Sequence, residues 1–394
     1  MLGFPKQVKK KIRIIKSKKW VSNMGQSNYK TYITGLKGFA CVMVMVGHFL
    51  GVFVYAEKIP IDVHYFLAIR NSKIGFLLHE SYWLYLFFIV SGYLLAFSKI
   101  EKLYQLFAKW IQRFFRLGLP ILFAYGICYI IYLTIGFHNG ETSVFFDNGW
   151  YQKAYAGDYS LLTVFRSPID VLILGKSSLN SPYWVLREMF IASLIIYAAD
   201  YILNKFSQRP IGRLLTVIGT LFIALLFIHL LDSNIIVFCV LGAILCWCEK
   251  DIHILLEKQW FYFGILVIAL AISVLDKSYV KQLFFLALII CVPKIGILNN
   301  VFSSKPFEFI GNISFGIYSF HWPLYCSVGG LVIVSLAAQT GLLISIILAM
   351  VISFILTIIL SWLYHISCEK LSGFITKQTY TILCRPFSEN RKNT

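Results

Sequence analysis

Residues 35–49 read GLKGFACVMVMVGHF. The run is apolar enough to enter a membrane, yet it begins beside Lys37 and contains His48. On an α-helix, positions eleven apart lie within about 20° of three whole turns and about 16 Å apart along the axis. The two side chains therefore share one face of the predicted helix. Ionisable groups inside a membrane usually face a cavity or a partner. His48 is thus a candidate proton acceptor, with a structural histidine between helices as the alternative.

The whole chain has the composition of a membrane protein. It contains 394 residues, of which 58% are hydrophobic and 14% are charged, whereas soluble domains contain about 25% charged residues. The continuously apolar runs predict helices rather than the alternating strands of a membrane barrel. We predict an all-α polytopic bundle of about ten transmembrane helices. The predicted spans are residues 35–55, 76–98, 117–136, 183–203, 211–230, 235–248, 260–275, 279–296, 309–330 and 342–364.

Positive charge is distributed unevenly along the chain. The net charge is +18, and residues 1–31 form a basic tail without an acidic residue. The segment 99–116 and the C-terminal residues 371–394 are also basic. Segments rich in Lys and Arg stay on the cytoplasmic side of a membrane. We therefore predict that both termini are cytoplasmic, facing anionic lipid rather than nucleic acid, in a multi-pass protein of the bacterial cytoplasmic membrane.

One connection is much longer than the others. Residues 137–182 lie on the outer side in this topology and are rich in Tyr, Trp, Gly and Asn. Loops of such length are usually functional or disordered, and the aromatic content favours a folded cap over the outer face. The predicted organisation is a tail at 1–31, a membrane domain at 32–370 and a second cytoplasmic tail at 371–394.

A pair of arginines stands at the predicted inner boundary, in the stretch KWIQRFFRLGLP at residues 109–120. Arg113 and Arg116 are three positions apart and therefore share a helix face. Two converging guanidinium groups can clamp a phosphate. Ordinary anchoring on the cytoplasmic side is the alternative.

Three further stretches contain candidates for close helix packing, for catalysis and for substrate binding. In FFIVSGYLLAF, residues 87–97, the small pair Ser91 and Gly92 predicts close helix packing. In SPYWVLREMFIASL, residues 181–194, Glu188 is a second catalytic candidate, with a local ion pair to Arg187 as the alternative. Substrate contacts are predicted from this stretch and from GNISFGIYSFHWPLY, residues 311–325, with interface anchoring as the alternative for the aromatic residues. The predicted substrate-binding residues are Trp184, Tyr318 and His321.

Together these motifs resemble the acyltransferase 3 family of integral membrane O-acyltransferases. The resemblance covers nearly all of residues 32–370 and rests on the ordered motifs ITGLKGFACVMVMVGHF, FFIVSGYLLAF, the Arg-x-x-Arg pair, YWVLREMF, SFGIYSFHWPLY and YHISCEK. It implies that His48 is the catalytic histidine and that Arg113 and Arg116, with Lys37, bind the acyl donor. Lys37 stands where the family typically has arginine. Glu188 follows Trp184 by four residues, where many relatives have five.

The resemblance also implies a reaction. Family members move an acyl group, often acetyl from acetyl-CoA, to hydroxyl groups of surface or exported carbohydrates. We therefore expect acetyl-CoA or another acyl-CoA as the donor substrate and a carbohydrate acceptor at the outer face of the bilayer. No tightly bound cofactor is expected. Because the nine cysteines are scattered, with a lone C-x-C at residues 246–248, no metal site is expected either.

Two other function classes remain possible from the sequence. A transporter or flippase of a cell-envelope glycan precursor would use buried His and Arg as a relay. Such folds contain repeated halves, and no internal repeat is visible in the sequence. A membrane glycan polymerase or ligase would need an outer loop rich in Arg and His, whereas residues 137–182 contain only Arg166 and His138 of these types.

Overall fold

The structure, a computed structural model, describes residues 31–53, 64, 68–69, 71–206, 210–255, 258–275 and 281–389. Throughout these ranges the regular elements are helices, and none of the described residues lies in a β-strand. The predicted all-α class is confirmed for them. The predicted basic tail lies outside the described residues, apart from Thr31.

Helices follow one another along the described part of the chain. In chain order they are α1 (Thr31–Phe53), α2 (Glu80–Leu95), α3 (Leu103–Thr134), α4 (Leu161–Leu172), α5 (Leu186–Phe206), α6 (Pro210–Leu231), α7 (Ile235–Leu255), α8 (Gln259–Leu275), α9 (Lys281–Cys291), α10 (Gly296–Phe302), α11 (Lys305–Asn312), α12 (Ser314–Leu324), α13 (Gly330–Thr340), α14 (Leu342–Tyr364) and α15 (Lys370–Glu389).

Several of these helices can cross a bilayer. Among the described residues, five are long and apolar enough, and a sixth candidate is a pair of helices bent by 98°. Each predicted span overlaps a helix, but some of these helices are short. The count of about ten crossings and the side on which the termini lie therefore stay predictions. The five are Thr31–Phe53, Leu103–Thr134, Ile211–Leu231, Ser314–Thr340 and Leu342–Pro386, and the bent pair is Lys281–Lys294 with Gly296–Phe302.

Two helices extend further than the hydropathy predicts. The helix Ser314–Thr340 continues past Pro323 through a π-turn at Tyr325–Gly329. A second π-turn joins α14 to α15, so that residues 371–389 of the predicted C-terminal tail are helical. This helix packs along α3, where the side chain of Gln112 donates to the carbonyl of Thr376 at 3.4 Å. Hydropathy missed the extension because α15 is amphipathic and sits beside the bundle rather than within it.

The long loop is folded and is attached to one end of the bundle, which we call the loop end. It contains α4 and a helical turn at Gly149–Gln152. Among the hydrogen bonds that attach it to the bundle are those donated by Asn148, His138 and Asn180. Their acceptors are the carbonyls of Val52 at 2.5 Å, Cys326 at 2.9 Å and Ser319 at 2.7 Å, respectively. The predicted folded cap is confirmed as a folded segment, and the side of the membrane that it faces stays a prediction.

Glycines allow α1 to approach its neighbours very closely. A Cβ added at Gly35 would lie 1.9 Å from the carbonyl oxygen of Phe302, and one added at Gly38 would lie 2.3 Å from the backbone nitrogen of Gly311. At Gly47 the added Cβ would lie 2.6 Å from the backbone of α2. Backbone atoms cannot rotate away as side chains do. The contacts at these three positions along the axis of α1 therefore tolerate only glycine.

The predicted packing role of Gly92 is also confirmed. A Cβ at Gly92 would lie 1.7 Å from the carbonyl oxygen of Cys239, and one at Gly242 would lie 1.9 Å from that of Ile89. The two glycines thus allow α2 and α7 to touch backbone to backbone.

We expect Gly92→Ala to destabilise the protein by about 1–3 kcal/mol, because overpacking must push two backbones apart. Gly219→Ala on α6 is the matched control, since a Cβ there meets nothing within 4 Å. Thermal unfolding of the detergent-solubilised variants measures the difference. Equal melting temperatures for both variants would contradict the close contact.

Candidate active site

The helix α1 carries Lys37 and His48 toward opposite ends of the bundle. Both residues lie on one uninterrupted helix, Thr31–Phe53, so the predicted axial separation of about 16 Å applies. His48 lies one turn before Val52, where the loop end is attached. Lys37 lies toward the other end, among the cationic side chains of α3. We call this the basic end.

A cleft opens at the basic end and brings together residues far apart in sequence. Its volume is about 320 Å³, within the range of about 300–1,000 Å³ for small-molecule sites. We call it the first cleft. Its polar lining comes from α1, α2, α3, α5, α12 and the π-turn before α15, and its apolar lining includes Phe87, Leu186 and Met189. The polar and charged lining residues include Lys37, Lys109, Gln112, Arg113, Arg116, Tyr318 and Glu369.

Positive charge exceeds negative charge in the first cleft. Its one lining carboxylate, that of Glu369, is already engaged by His365 at 2.5 Å. Arg113 is half-buried, and within the described part of the chain its Nε is buried without a hydrogen-bond partner. A buried guanidinium N–H without a partner is costly. An anionic ligand with several acceptor oxygens would satisfy it.

The first cleft reaches the level of Tyr318 on α12. The hydroxyl of Tyr318 donates to the carbonyl of Pro182, which fixes the ring in the cleft wall. One turn further along α12, the ring of His321 lies 6.3 Å from that of Tyr318 between centroids. The cleft therefore ends next to His321, deep within the bundle.

His321 is hydrogen-bonded to His48 across two helices. The Nδ1 of His48 lies 2.8 Å from the Nε2 of His321, and the Nδ1 of His321 lies 2.9 Å from the carbonyl oxygen of Ile317. His321 is only 1% exposed. His48, which the sequence predicts to be a base, and His321, which it predicts to be a substrate contact, thus form one hydrogen-bonded pair.

The hydrogen-bond partners determine the tautomers of the two neutral rings. The carbonyl of Ile317 can only accept, so the Nδ1 of His321 carries the hydrogen and its Nε2 is an acceptor. The Nδ1 of His48 must then donate to that nitrogen. Consequently the Nε2 of His48 carries no hydrogen in the neutral state and can accept a proton.

Two tryptophans lie against His48 at the loop end. The ring centroids of Trp322 and Trp150 lie 5.7 Å and 6.2 Å from that of His48, and 4.7 Å from each other. Asn148 holds Trp150 in place, because its side-chain oxygen accepts the backbone N–H groups of Trp150 and Tyr151 at 3.1 Å. Trp150 is 46% exposed, so it forms an accessible wall beside the imidazole.

The sequence from residue 30 to residue 366 matches the Acyl_transf_3 acyltransferase domain. The chain belongs to the acyltransferase 3 family. The match includes the whole first cleft apart from Glu369, and both histidines. Together with helices apolar enough to cross a bilayer, it makes the protein a membrane acyltransferase. No curated protein and no solved structure matches the chain.

Family membership confirms the predicted resemblance and favours an acyltransferase over the transporter or flippase alternative. It does not by itself assign roles to individual residues. The structure brings the three predicted donor-binding residues into one cleft, and it brings His48 to His321. The three are Lys37, Arg113 and Arg116.

The structure does not join Glu188 and Trp184 to this arrangement. Glu188 is 3% exposed and its Oε1 accepts from Arg187 at 3.0 Å, which is the predicted local ion pair. Its Oε2 is buried without a hydrogen-bond partner in the described part of the chain. Trp184 is 51% exposed and does not line the first cleft.

Three residues near the site were missed by the sequence analysis. Trp150 and Asn148 lie in the long loop, where no periodicity relates them to His48. Asn148 is a favoured N-cap residue, so the turn could have been predicted, but its location over His48 could not. Glu369 follows His365 by four positions, and that helical spacing was a usable signal.

Proposed function

We propose that the protein is an O-acyltransferase that moves acetyl from cytoplasmic acetyl-CoA to a hydroxyl of a cell-surface or exported polysaccharide, with His48 as general base. The observation that carries the proposal is the hydrogen bond from the Nδ1 of His48 to His321. It leaves the Nε2 of His48 as a proton acceptor, and its partner His321 lies next to Tyr318 in the wall of a cleft suited to an anionic donor.

The proposed chemistry is a direct transfer. The Nε2 of His48 takes the proton from the hydroxyl group of the carbohydrate. At the same time the oxygen of that hydroxyl forms a bond to the carbonyl carbon of the thioester. The tetrahedral intermediate collapses, the carbon–sulfur bond breaks, and the imidazolium of His48 returns the proton to the departing CoA sulfur. His321 is a positioning residue in this scheme, since it keeps the Nδ1 proton of His48 in place as the charge develops.

The first cleft is the proposed donor site. Arg113, Arg116 and Lys37 would bind the phosphates, because charge-assisted hydrogen bonds from guanidinium groups are strong and directional. The acyl-bearing arm would run along Leu186 and Met189 toward Tyr318. Tyr318 is thus proposed to contact the donor arm rather than the acceptor.

The acceptor would reach His48 from the loop end. Trp150 offers an exposed aromatic face there, and the buried Trp322 packs against it at 4.7 Å between ring centroids. A carbohydrate could stack on the face of Trp150. Trp184 remains a proposed acceptor contact because it is exposed. Glu188 remains a proposed second catalytic residue because one of its buried oxygens has no partner.

Membrane vesicles of both orientations test the function together with the predicted topology. Labelled acetyl-CoA added to inverted vesicles should label polysaccharide, because the basic end then faces the added donor. The same donor added to right-side-out vesicles should not. Labelling only in right-side-out vesicles would overturn the orientation, and no labelling in either, with acceptor present, would overturn the proposed reaction.

A matched acceptor analysis completes that experiment. Acetyl content of the surface polysaccharide should fall in a strain lacking the gene and return on complementation. An unchanged acetyl content would contradict the proposed acceptor class.

A further inference from the structure

A second cleft lies at the basic end, formed in part by residues beyond the family match. Its volume is about 460 Å³. One wall comes from Gln112 and Arg116 on α3, and the other from the C-terminal helix α15, which lies after residue 366. The lining residues from α15 are Ser372, Gly373, Thr376 and Lys377.

The two clefts share a wall. Four residues line both of them, at the place where α3 faces the π-turn before α15, so the clefts adjoin there. The shared residues are Gln112, Arg116, Pro120 and Glu369. A ligand in the first cleft that is longer than that cleft would therefore extend into the second.

Contacts between α3 and α15 keep the second cleft in shape. Besides the bond from Gln112 to the carbonyl of Thr376, the ammonium of Lys109 lies 4.6 Å from the ring centroid of Tyr380. One turn before Thr376, toward the π-turn, Gly373 leaves a gap, because a Cβ added there would meet nothing within 4 Å. The opening is thus a built feature of the α3–α15 pair.

The second cleft is positive. Arg116 and Lys377 line it, and its carboxylate, that of Glu369, already interacts with His365 at 2.5 Å. The amide of Gln112 and the hydroxyl-bearing Ser372 and Thr376 add polar groups to the walls. This chemistry suits a phosphorylated and polar ligand portion rather than an acyl chain.

We infer that the second cleft binds the 3′-phosphorylated nucleotide end of the acyl-CoA donor, with Lys377 near the 3′-phosphate. The inference rests on the proposed function, which puts the thioester beside Tyr318 and His321. The other end of the donor must then leave the first cleft, and the second cleft adjoins the first at Arg116 and Gln112. The helix α15 is therefore part of the donor site, although it lies outside the matched family domain.

Binding of CoA and of 3′-dephospho-CoA to the purified full-length protein in nanodiscs tests this assignment. The wild type should prefer CoA. Because Lys377 is exposed, Lys377→Gln should weaken CoA binding by about fivefold and leave 3′-dephospho-CoA unaffected. Lys377→Arg should keep the preference. Lys370→Gln removes an exposed lysine from the same helix that does not line the cleft, so it should behave as wild type.

A second pair of variants tests the space rather than the charge. Gly373→Leu should fill the second cleft and cause loss of CoA binding, whereas Gly373→Ala should not. S-acetylpantetheine, used as its 4′-phosphate so that the first cleft still has a phosphate to bind, lacks the nucleotide and should bind the Leu variant as it binds the wild type. That retained binding also shows that the variant is folded.

The possible failures are distinguishable. If neither CoA nor S-acetylpantetheine binds the wild type, the proposed function fails and the inference fails with it. If CoA binds, but Lys377→Gln leaves the ratio of the two affinities unchanged and Gly373→Leu binds CoA normally, the nucleotide assignment alone is overturned.

Discussion

Replacing His48 with alanine is expected to lower acyl transfer by about 10²–10⁴-fold, the contribution of a well-positioned general base. The reason is the hydrogen-bond arrangement, in which His48 donates from Nδ1 to His321 and retains an unprotonated Nε2. Donor binding should change little, because His48 does not line the first cleft. Transfer rates and donor affinity, measured at equal membrane abundance, separate the two effects.

His321 provides the control for this prediction. His321→Leu removes the acceptor of the His48 Nδ1 proton and should lower kcat with the donor KM unchanged, by up to about 10⁴-fold, as when an orienting group of a triad is lost. His321→Gln supplies an oxygen acceptor and should recover part of that activity. Near-normal transfer by His48→Ala would remove His48 from the mechanism. Equal kcat for the two His321 variants would reduce His321 to a structural residue.

Arg113→Ala is expected to weaken donor use by about ten- to a hundredfold, since charge-assisted hydrogen bonds contribute about 1.5–3 kcal/mol each. The effect of Arg116→Ala should be smaller, about fivefold, because Arg116 is exposed and its charge is screened by solvent. Sequence alone treats the two arginines as equivalent, and their surroundings separate them. The concentration of acetyl-CoA needed for half-maximal transfer measures both effects.

Lysine variants distinguish a phosphate clamp from simple membrane anchoring. Arg113→Lys should recover only part of the donor use, because the charge remains but the planar fork does not. Anchoring requires only charge, so complete recovery would contradict the clamp. Arg166→Ala is the control, since Arg166 lies on α4 in the long loop, where its guanidinium lies 3.6 Å from the carboxylate of Asp170. Unchanged donor dependence in Arg113→Ala would leave the arginines as topology residues.

The local parts of the site could be predicted from the sequence, and the long-range parts could not. Lys37 and His48 share a helix whose rise is known, and Arg113 and Arg116 share another. The pairing of His48 with His321 joins positions 273 residues apart, and hydropathy carries no information about which helices become neighbours. The helix α15 escaped prediction because it is too polar to resemble a span, and its packing on α3 is a tertiary property.

The glycines along α1 have a consequence for how the two sides of the membrane communicate. Transporters usually expose a site alternately by rocking one group of helices against another. Here Gly35, Gly38 and Gly47 press α1 against the backbones of its neighbours at three heights. Such contacts cannot slide without collision. The distance between the basic end and the histidine pair is consequently fixed. In the proposed reaction, the arm of the donor therefore has to reach from the basic end to the histidine pair without help from a sliding movement of α1.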